Sequence, residues 1–300
     1  MDPGLRAVGL DARFPGWIEH LKARGYSPKS IAIYSGNMAQ FLTWCRYKRQ
    51  EVNLVDWEFI EGWIRHLQDA KRAPTTINSK LQALGAFYDY LLRRGDVPKN
   101  PKHDVRQVKV PRRLPRFLSE EEAMKILGAA PTPMARALLE TLYGCGLRRA
   151  ELCGLNMTDV LWPQAVIRVI GKGRKERIVP VPLPCLEALK AWLPERKRLI
   201  ERAKNPSREA LFINSRSGVR IGRGGVVSTI EWAARLAGHT GKIHPHLFRH
   251  TYATHLYNRG ADIRAIQVLM GHEHVQTTEI YTHVSDRRLN ETIRQFHPRA

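Results

Sequence analysis

The chain of 300 residues carries 49 Lys or Arg against 28 Asp or Glu, a formal net charge of +21, with an ordinary hydrophobic content of 43%; it is long enough for two domains with cores of their own, and it is not the composition of a disordered chain. A folded protein this basic repels itself, so the surplus points to a polyanionic partner, nucleic acid first and an anionic membrane surface second. No apolar run reaches the roughly 20 residues of a membrane span, the N-terminal sequence lacks a signal-peptide pattern, and Cys45, Cys145, Cys153 and Cys185 form no CxxC pair, so the expectation is a cytoplasmic protein with no membrane attachment, disulfide framework or zinc ribbon.

In chain order, the first hundred residues read as four amphipathic helices. Phe14, Trp17, Ile18 and Leu21 share the first face, ended by Gly25. Ser27 and Pro28 open the second as N-cap and first helical residue, with Ile31, Tyr34, Met38, Phe41 and Cys45 as its stripe. The third starts near Asp56 and carries Ile60, Trp63, Ile64 and Leu67. The fourth carries Ile77, Leu81, Leu84, Tyr88 and Leu91, with Gly95 beyond its end. Short loops between such helices predict a compact bundle over 1–98.

Residues 99–116 are basic and interrupted by Pro101, Pro111 and Pro115, which predicts an extended interdomain linker, either a solvated spacer or a strap along a nucleic-acid backbone. A second domain over 117–300 opens with the capping box Ser119 to Glu122 and a helix around Met134, Leu138, Leu139 and Leu142 that ends at Gly144-Cys145-Gly146. Residues 165–181 change to strand periodicity and read as a hairpin with a basic tip, Gly171 to Glu176. Helices return near 184–202, 223–237, 246–259 and 262–270. Leu289, Ile293 and Phe296 follow at helical spacing and predict a last helix packed on its own domain.

The tract 244–283 holds His244, His246, His250, His255, His272, His274 and His283. Three chemistries compete for it. A metal site finds only His246 and His250 at i, i+4, without HExxH, a cysteine or a spaced carboxylate. A helix-turn-helix reader fits the outline around Arg259-Gly260 but leaves the histidines without a use. Phosphoryl transfer requires fixed cations for the charge that develops on phosphate, a nucleophile and an acid for the leaving oxygen. Arg148, Arg249, Lys172 and Tyr281 are of the right types. Taken singly, each has a plainer reading. Arg148 pairs with Glu151 on a helix, Lys172 is a solvated turn, His272 caps the helix before Gly271, and Tyr281 is a core residue.

The order of segments along the chain narrows the choice. Gly146-Leu147-Arg148-Arg149-Ala150-Glu151-Leu152, Gly171-Lys172-Gly173, His246-Leu247-Phe248-Arg249-His250, Leu269-Met270-Gly271-His272 and Thr277-Thr278-Glu279-Ile280-Tyr281-Thr282-His283 together resemble the tyrosine recombinase (phage integrase) family, from about residue 10 to the end, and most of all its Xer branch. The resemblance implies a mainly α, two-domain protein of the DNA breaking–rejoining fold. A four-helix SAM-like core-binding domain and an α-rich catalytic domain with a small β-sheet would clasp double-stranded DNA. It implies a site-specific recombinase acting through a 3′-phosphotyrosyl intermediate and a Holliday junction, as a homo- or hetero-tetramer on two sites. In that tetramer the tail with Leu289, Ile293 and Phe296 would instead be a packing arm for a neighbouring protomer. That enzyme would resolve chromosome or plasmid dimers in chromosome partition at cell division, under a septal DNA translocase.

In this resemblance Arg148 and Arg249 grip the scissile phosphate, His246 assists as acid and base, Lys172 protonates the leaving 5′ oxygen, His272 hydrogen-bonds the phosphate and Tyr281 attacks it. Glu151 and His250 support them. The linker contributes Lys99, Lys102, Arg106, Lys109, Arg112, Arg113 and Arg116 to the DNA backbone. No metal and no cofactor is expected. Phe248 stands where leucine is usual, and His244 where a small hydroxyl residue is common. The alternatives are an integrase or resolvase of a phage, plasmid or transposon and, in a different class, a helix-turn-helix regulator without chemistry.

Overall fold

The structure, a computed structural model, describes residues 11–111, 116–171, 175–271 and 286–299, with backbone alone for 286–290. Arg112, Arg113, Lys172, His272 and Tyr281 lie outside them. The chain divides into two compact units, Met1–Arg113 and Leu114–Ala300.

The first unit is built from α1 (Phe14–Ala23), α2 (Pro28–Tyr47), α3 (Trp57–Asp69) and α4 (Pro74–Arg94). Their starts follow local chemistry. The Ser27 hydroxyl accepts the Ser30 N–H at 3.1 Å and the Asp56 carboxylate accepts the Phe59 N–H at 2.8 Å, each satisfying a donor that a helix start leaves free. The end of α4 needs Gly95, whose φ is +77°. The apolar stripes meet in one core, where Phe41 lies edge-on to Trp63 at 4.9 Å and Trp17 to Phe87 at 5.3 Å.

Most of the predicted linker is seated on this unit rather than extended between the two. Asn100 is buried, and its amide donates to the Gly85 carbonyl at 3.0 Å and to Asp89 at 2.8 Å. Val105 joins the core. The Asn78 side chain pairs with the Val108 backbone through two hydrogen bonds of 2.9 Å, as a neighbouring strand would. The basic side chains among the described residues point outward. Lys99 pairs with Asp104 at 2.9 Å, Lys102 is half-buried with its stem against Gly85, and Arg106, Lys109 and Arg116 are exposed.

In the second unit, α5 (Glu120–Gly128), α6 (Pro133–Cys145), α7 (Arg149–Gly154), α8 (Leu183–Arg202), α9 (Arg223–Leu236), α10 (Pro245–Asn258), α11 (Ile263–Met270) and α12 (Asp286–Phe296) accompany a small antiparallel sheet. The sheet runs β1 (Val160–Leu161), β2 (Val166–Ile170), β3 (Glu176–Pro180), with Val169 opposite Arg177 and Ile167 opposite Val179. The expected capping box holds: Ser119 N–H donates to Glu122 at 2.8 Å and Glu122 N–H to the Ser119 hydroxyl at 3.1 Å. Helix α6 is buried over most of its length, so it forms the axis on which α8 and α10 pack.

The tail packs on its own unit. Ile293 is buried with Tyr252, Leu256, Leu269 and Met270. His297 Nε2 meets the Tyr143 carbonyl at 3.2 Å and Arg299 forks onto the fully buried Glu140.

Candidate active site

Glu151 is the centre of the site. It is the third residue of α7, and its carboxylate accepts the Arg148 backbone N–H at 2.8 Å and Arg148 Nη1 at 2.8 Å. The plain i, i+3 pairing foreseen for Arg148 therefore exists, and it is one part of a larger cluster. Arg177, on β3, forks onto both Glu151 oxygens at 2.9 and 2.8 Å. Arg249, in the middle of α10, brings Nη1 to 4.0 Å from the same carboxylate. Three guanidiniums around one carboxylate leave a surplus of two positive charges.

The arginines also bind the end of α11. Arg148 Nη2 donates to the Gly271 carbonyl at 2.8 Å, Arg249 Nη2 to the Met270 carbonyl, and Arg177 Nε to the Leu269 carbonyl at 3.2 Å. A helix C-terminus carries unpaired carbonyls and partial negative charge, so cations there are favourable. The second amino group of Arg249 ties to the Gly146 carbonyl at 2.7 Å. Gly146 has φ +59°, and a Cβ there would fall 2.6 Å from Cε1 of Tyr252, so the turn that presents Arg148 requires glycine.

Electrostatics follow this packing. Burial alone would raise the Glu151 carboxyl, but the Arg177 fork and then Arg148 outweigh it and hold the group at about 2. Burial, then the neighbouring Arg148 charge, lowers Arg249 to about 10, which leaves it charged at neutral pH. Arg249 is nearly enclosed, whereas Arg148 is about a third open to solvent, so one charge is fixed and the other accessible.

The histidines divide by environment. His246 is exposed on the first turn of α10, its ring 6.5 Å from that of His244. His244 Nδ1 accepts the Leu247 N–H at 3.1 Å and so caps the start of α10. His250 is half-buried, 6.4 Å from the Phe117 ring. His255 is structural: its Nε2 donates to the Leu118 carbonyl at 2.8 Å, so Nδ1 accepts the Tyr143 hydroxyl at 2.8 Å. Among the described residues, no group of three His, Cys, Asp or Glu is placed to hold a metal, and no helix is long and apolar enough to cross a membrane.

The described residues thus bring together Arg148, Glu151 and Arg249, with His246 at the exposed start of the same helix as Arg249. Arg177 was not foreseen. Its available signal was strand parity: in β3 it shares the inward face with the buried Val179, an unusual place for an unpaired arginine.

Comparison with known proteins assigns the lineage. The phage integrase family model matches residues 116–288, and the model of the phage integrase N-terminal SAM-like domain matches 14–95. The chain belongs to the phage integrase family. Its curated relatives include tyrosine recombinase XerC of Thermodesulfovibrio yellowstonii, 37% identical over 94% of this chain and 95% of that protein. The XerC of Pelotomaculum thermopropionicum is 40% identical over 82% of each chain. Among solved structures, the XerA recombinase is similar at 30% identity with a TM-score of 0.50, covering 95% of this chain and 98% of that one. The fold also matches the XerH site-specific recombinase bound to its palindromic difH substrate, with a TM-score of 0.69 at 23% identity over 90% of this chain and 80% of that one. Within its family the chain is a Xer-like site-specific tyrosine recombinase.

Proposed function

We propose that the protein recombines specific double-stranded DNA sites through Tyr281, with Arg148, Lys172, His246, Arg249 and His272 as the other catalytic residues. The observation that carries this reading is the meeting of Arg148 and Arg249, 101 positions apart in the chain, over one buried carboxylate and at the end of the helix that leads to His272.

The scissile phosphodiester carries one negative charge and gains a second as the phosphorane forms. Two preorganised guanidiniums stabilise that second charge at the moment it appears. The Tyr281 oxygen forms a bond to phosphorus while the bond from phosphorus to the 5′ oxygen breaks. The phenol proton passes to His246 and Lys172 supplies a proton to the leaving oxygen. The 3′-phosphotyrosyl bond keeps the phosphodiester energy, so a second strand can reverse the step through a Holliday junction. Glu151 and His250 position the arginines and the helix that carries one of them.

Lys99, Lys102, Arg106, Lys109, Arg112, Arg113 and Arg116 supply backbone contacts, and much of the +21 surplus belongs to the DNA-facing surfaces, which makes binding salt-dependent. The XerH structure is a protein–DNA complex and a lambda integrase structure is a tetramer on a Holliday junction. They favour a tetramer of one or two related proteins here. The role that goes with this reading is the one the Xer resemblance implies: resolution of chromosome dimers in the cytoplasm before cell division, under a septal DNA translocase.

The test is a nicked duplex spanning the cleavage position, mapped first on the host genome from DNA ends retained by the protein. The wild-type chain should form a covalent adduct. Tyr281→Phe should bind the same DNA and form none. Equal absence of adduct from both, with DNA bound, would remove the proposal.

A further inference from the structure

We infer that Arg177 is a positioning residue for strand cleavage, resting on the recombinase reading above. Three observations carry it. First, Arg177 forks its guanidinium onto both Glu151 oxygens, whereas Arg148 reaches them with one backbone N–H and one guanidinium N–H. A buried carboxylate demands a matching cation. With Arg177 in place that demand is met from the sheet side, and Arg148 and Arg249 keep a surplus of charge for a phosphate. Without it, both must serve as counter-ions of Glu151.

Second, the third donor of Arg177 holds the Leu269 carbonyl at 3.2 Å, so β3 is bolted to the C-terminus of α11. Third, the backbone at the end of α11 is fitted to this side chain. A Cβ on Gly271, which has φ +59°, would lie 3.1 Å from Cδ and Nη1 of Arg177. Gly171 lies on its other side, where a Cβ would come 3.9 Å from Nη1 and from Glu151 Oε1, and its N–H closes the hairpin end onto the Lys175 carbonyl at 2.8 Å. In sequence these glycines are the residues immediately before Lys172 and His272. One side chain, 14% exposed, therefore ties the carboxylate on which Arg148 is set to the last turn of the helix that leads to His272, and lies beside the glycine that precedes Lys172. Small misplacement of catalytic groups costs roughly 10²-fold in rate, which is the size expected for its loss.

Single-turnover cleavage of the nicked duplex, in parallel with DNA binding and thermal melting of the full chain, tests this. Arg177→Ala should bind DNA within about threefold of wild type and cleave roughly 100-fold more slowly. Adding Glu151→Gln should restore roughly tenfold of that loss, because the buried carboxylate that commandeers the remaining arginines is gone; a purely structural role gives no such rescue. If Arg177→Ala does not fold, Arg177→Lys decides. It keeps the charge without the fork, and should fold, bind DNA normally and cleave at an intermediate rate. A folded Arg177→Ala or Arg177→Lys that cleaves like wild type overturns the inference, as does a double variant no faster than Arg177→Ala. Failure of wild type itself to form the adduct would overturn the recombinase reading instead, so the two failures are distinct.

Discussion

Arg249 donates to the Gly146 carbonyl at 2.7 Å, which ties the centre of α10 to the turn between α6 and α7. That turn carries Arg148, so the two arginines are held in one frame by a side-chain bond to the backbone rather than by contact with each other. Gly146→Ala should break the frame. It places a Cβ against the Tyr252 ring at positive φ, and the combined strain and overlap should cost about 2–4 kcal/mol. Urea denaturation should show the loss, and an unchanged midpoint would show that the turn can yield.

Arg148→Lys should separate charge from geometry. Lysine can reach Glu151 or the Gly271 carbonyl but cannot present a planar fork to both. DNA affinity should stay within about twofold while the single-turnover cleavage rate falls by roughly 10²–10³. A parallel fall in affinity and rate would place Arg148 in ground-state binding instead.

The second unit should weaken in mild acid. Burial lowers the His297 imidazole from 6.5 to about 3, and burial lowers His255 as well. His297 stays neutral in the folded chain while its unfolded form takes up a proton, and the downward shift of His255 acts in the same direction. Stability is therefore complete above the unfolded value and declines as pH falls from 6.5 toward 3, at up to about 1.4 kcal/mol per pH unit for His297. Glu151, held near 2, loses its contribution only at pH values below the ordinary carboxylate range. Urea midpoints at pH 7 and pH 5 should differ, and His297→Gln should shrink the difference. A flat profile in wild type would contradict the packing of the tail against Tyr143.

A fragment ending at residue 98 should be less stable than one ending at 113. The longer fragment keeps Val105 in the core and the buried Asn100 amide on Gly85 and Asp89, together worth about 2–4 kcal/mol. Thermal melting of the two fragments checks this, and equal melting would return residues 99–113 to the role of a free linker.

The helix starts were legible because capping is local. Ser27, Asp56 and Ser119 each bind a backbone N–H three residues ahead, so the signal lies within one window of sequence. Arg148 and Glu151 were legible as a pair for the same reason. Arg177 was not, because its partners lie 26 and 92 positions away and are joined only by the strand pairing and the packing of α11. The seat of residues 100–108 was hidden by composition. Prolines and charges look like a linker, while Asn78 and Asn100, which fix it, look like any polar residues of a helix or turn. The tail carried two readings at once, since an apolar stripe fits its own unit and a neighbour equally. In this single chain Ile293 and His297 are buried within their own unit.

The most direct measurement of the central claim is the chemical identity of the protein–DNA linkage. Trypsin should release the peptide Ala265–Arg287, whose one tyrosine is Tyr281, carrying a nucleotide through its 3′ phosphate, with a free 5′ hydroxyl on the departing strand. Mass spectrometry of the adduct formed on the nicked duplex reads both ends of that bond. A linkage to another residue, or through a 5′ phosphate, would contradict the account.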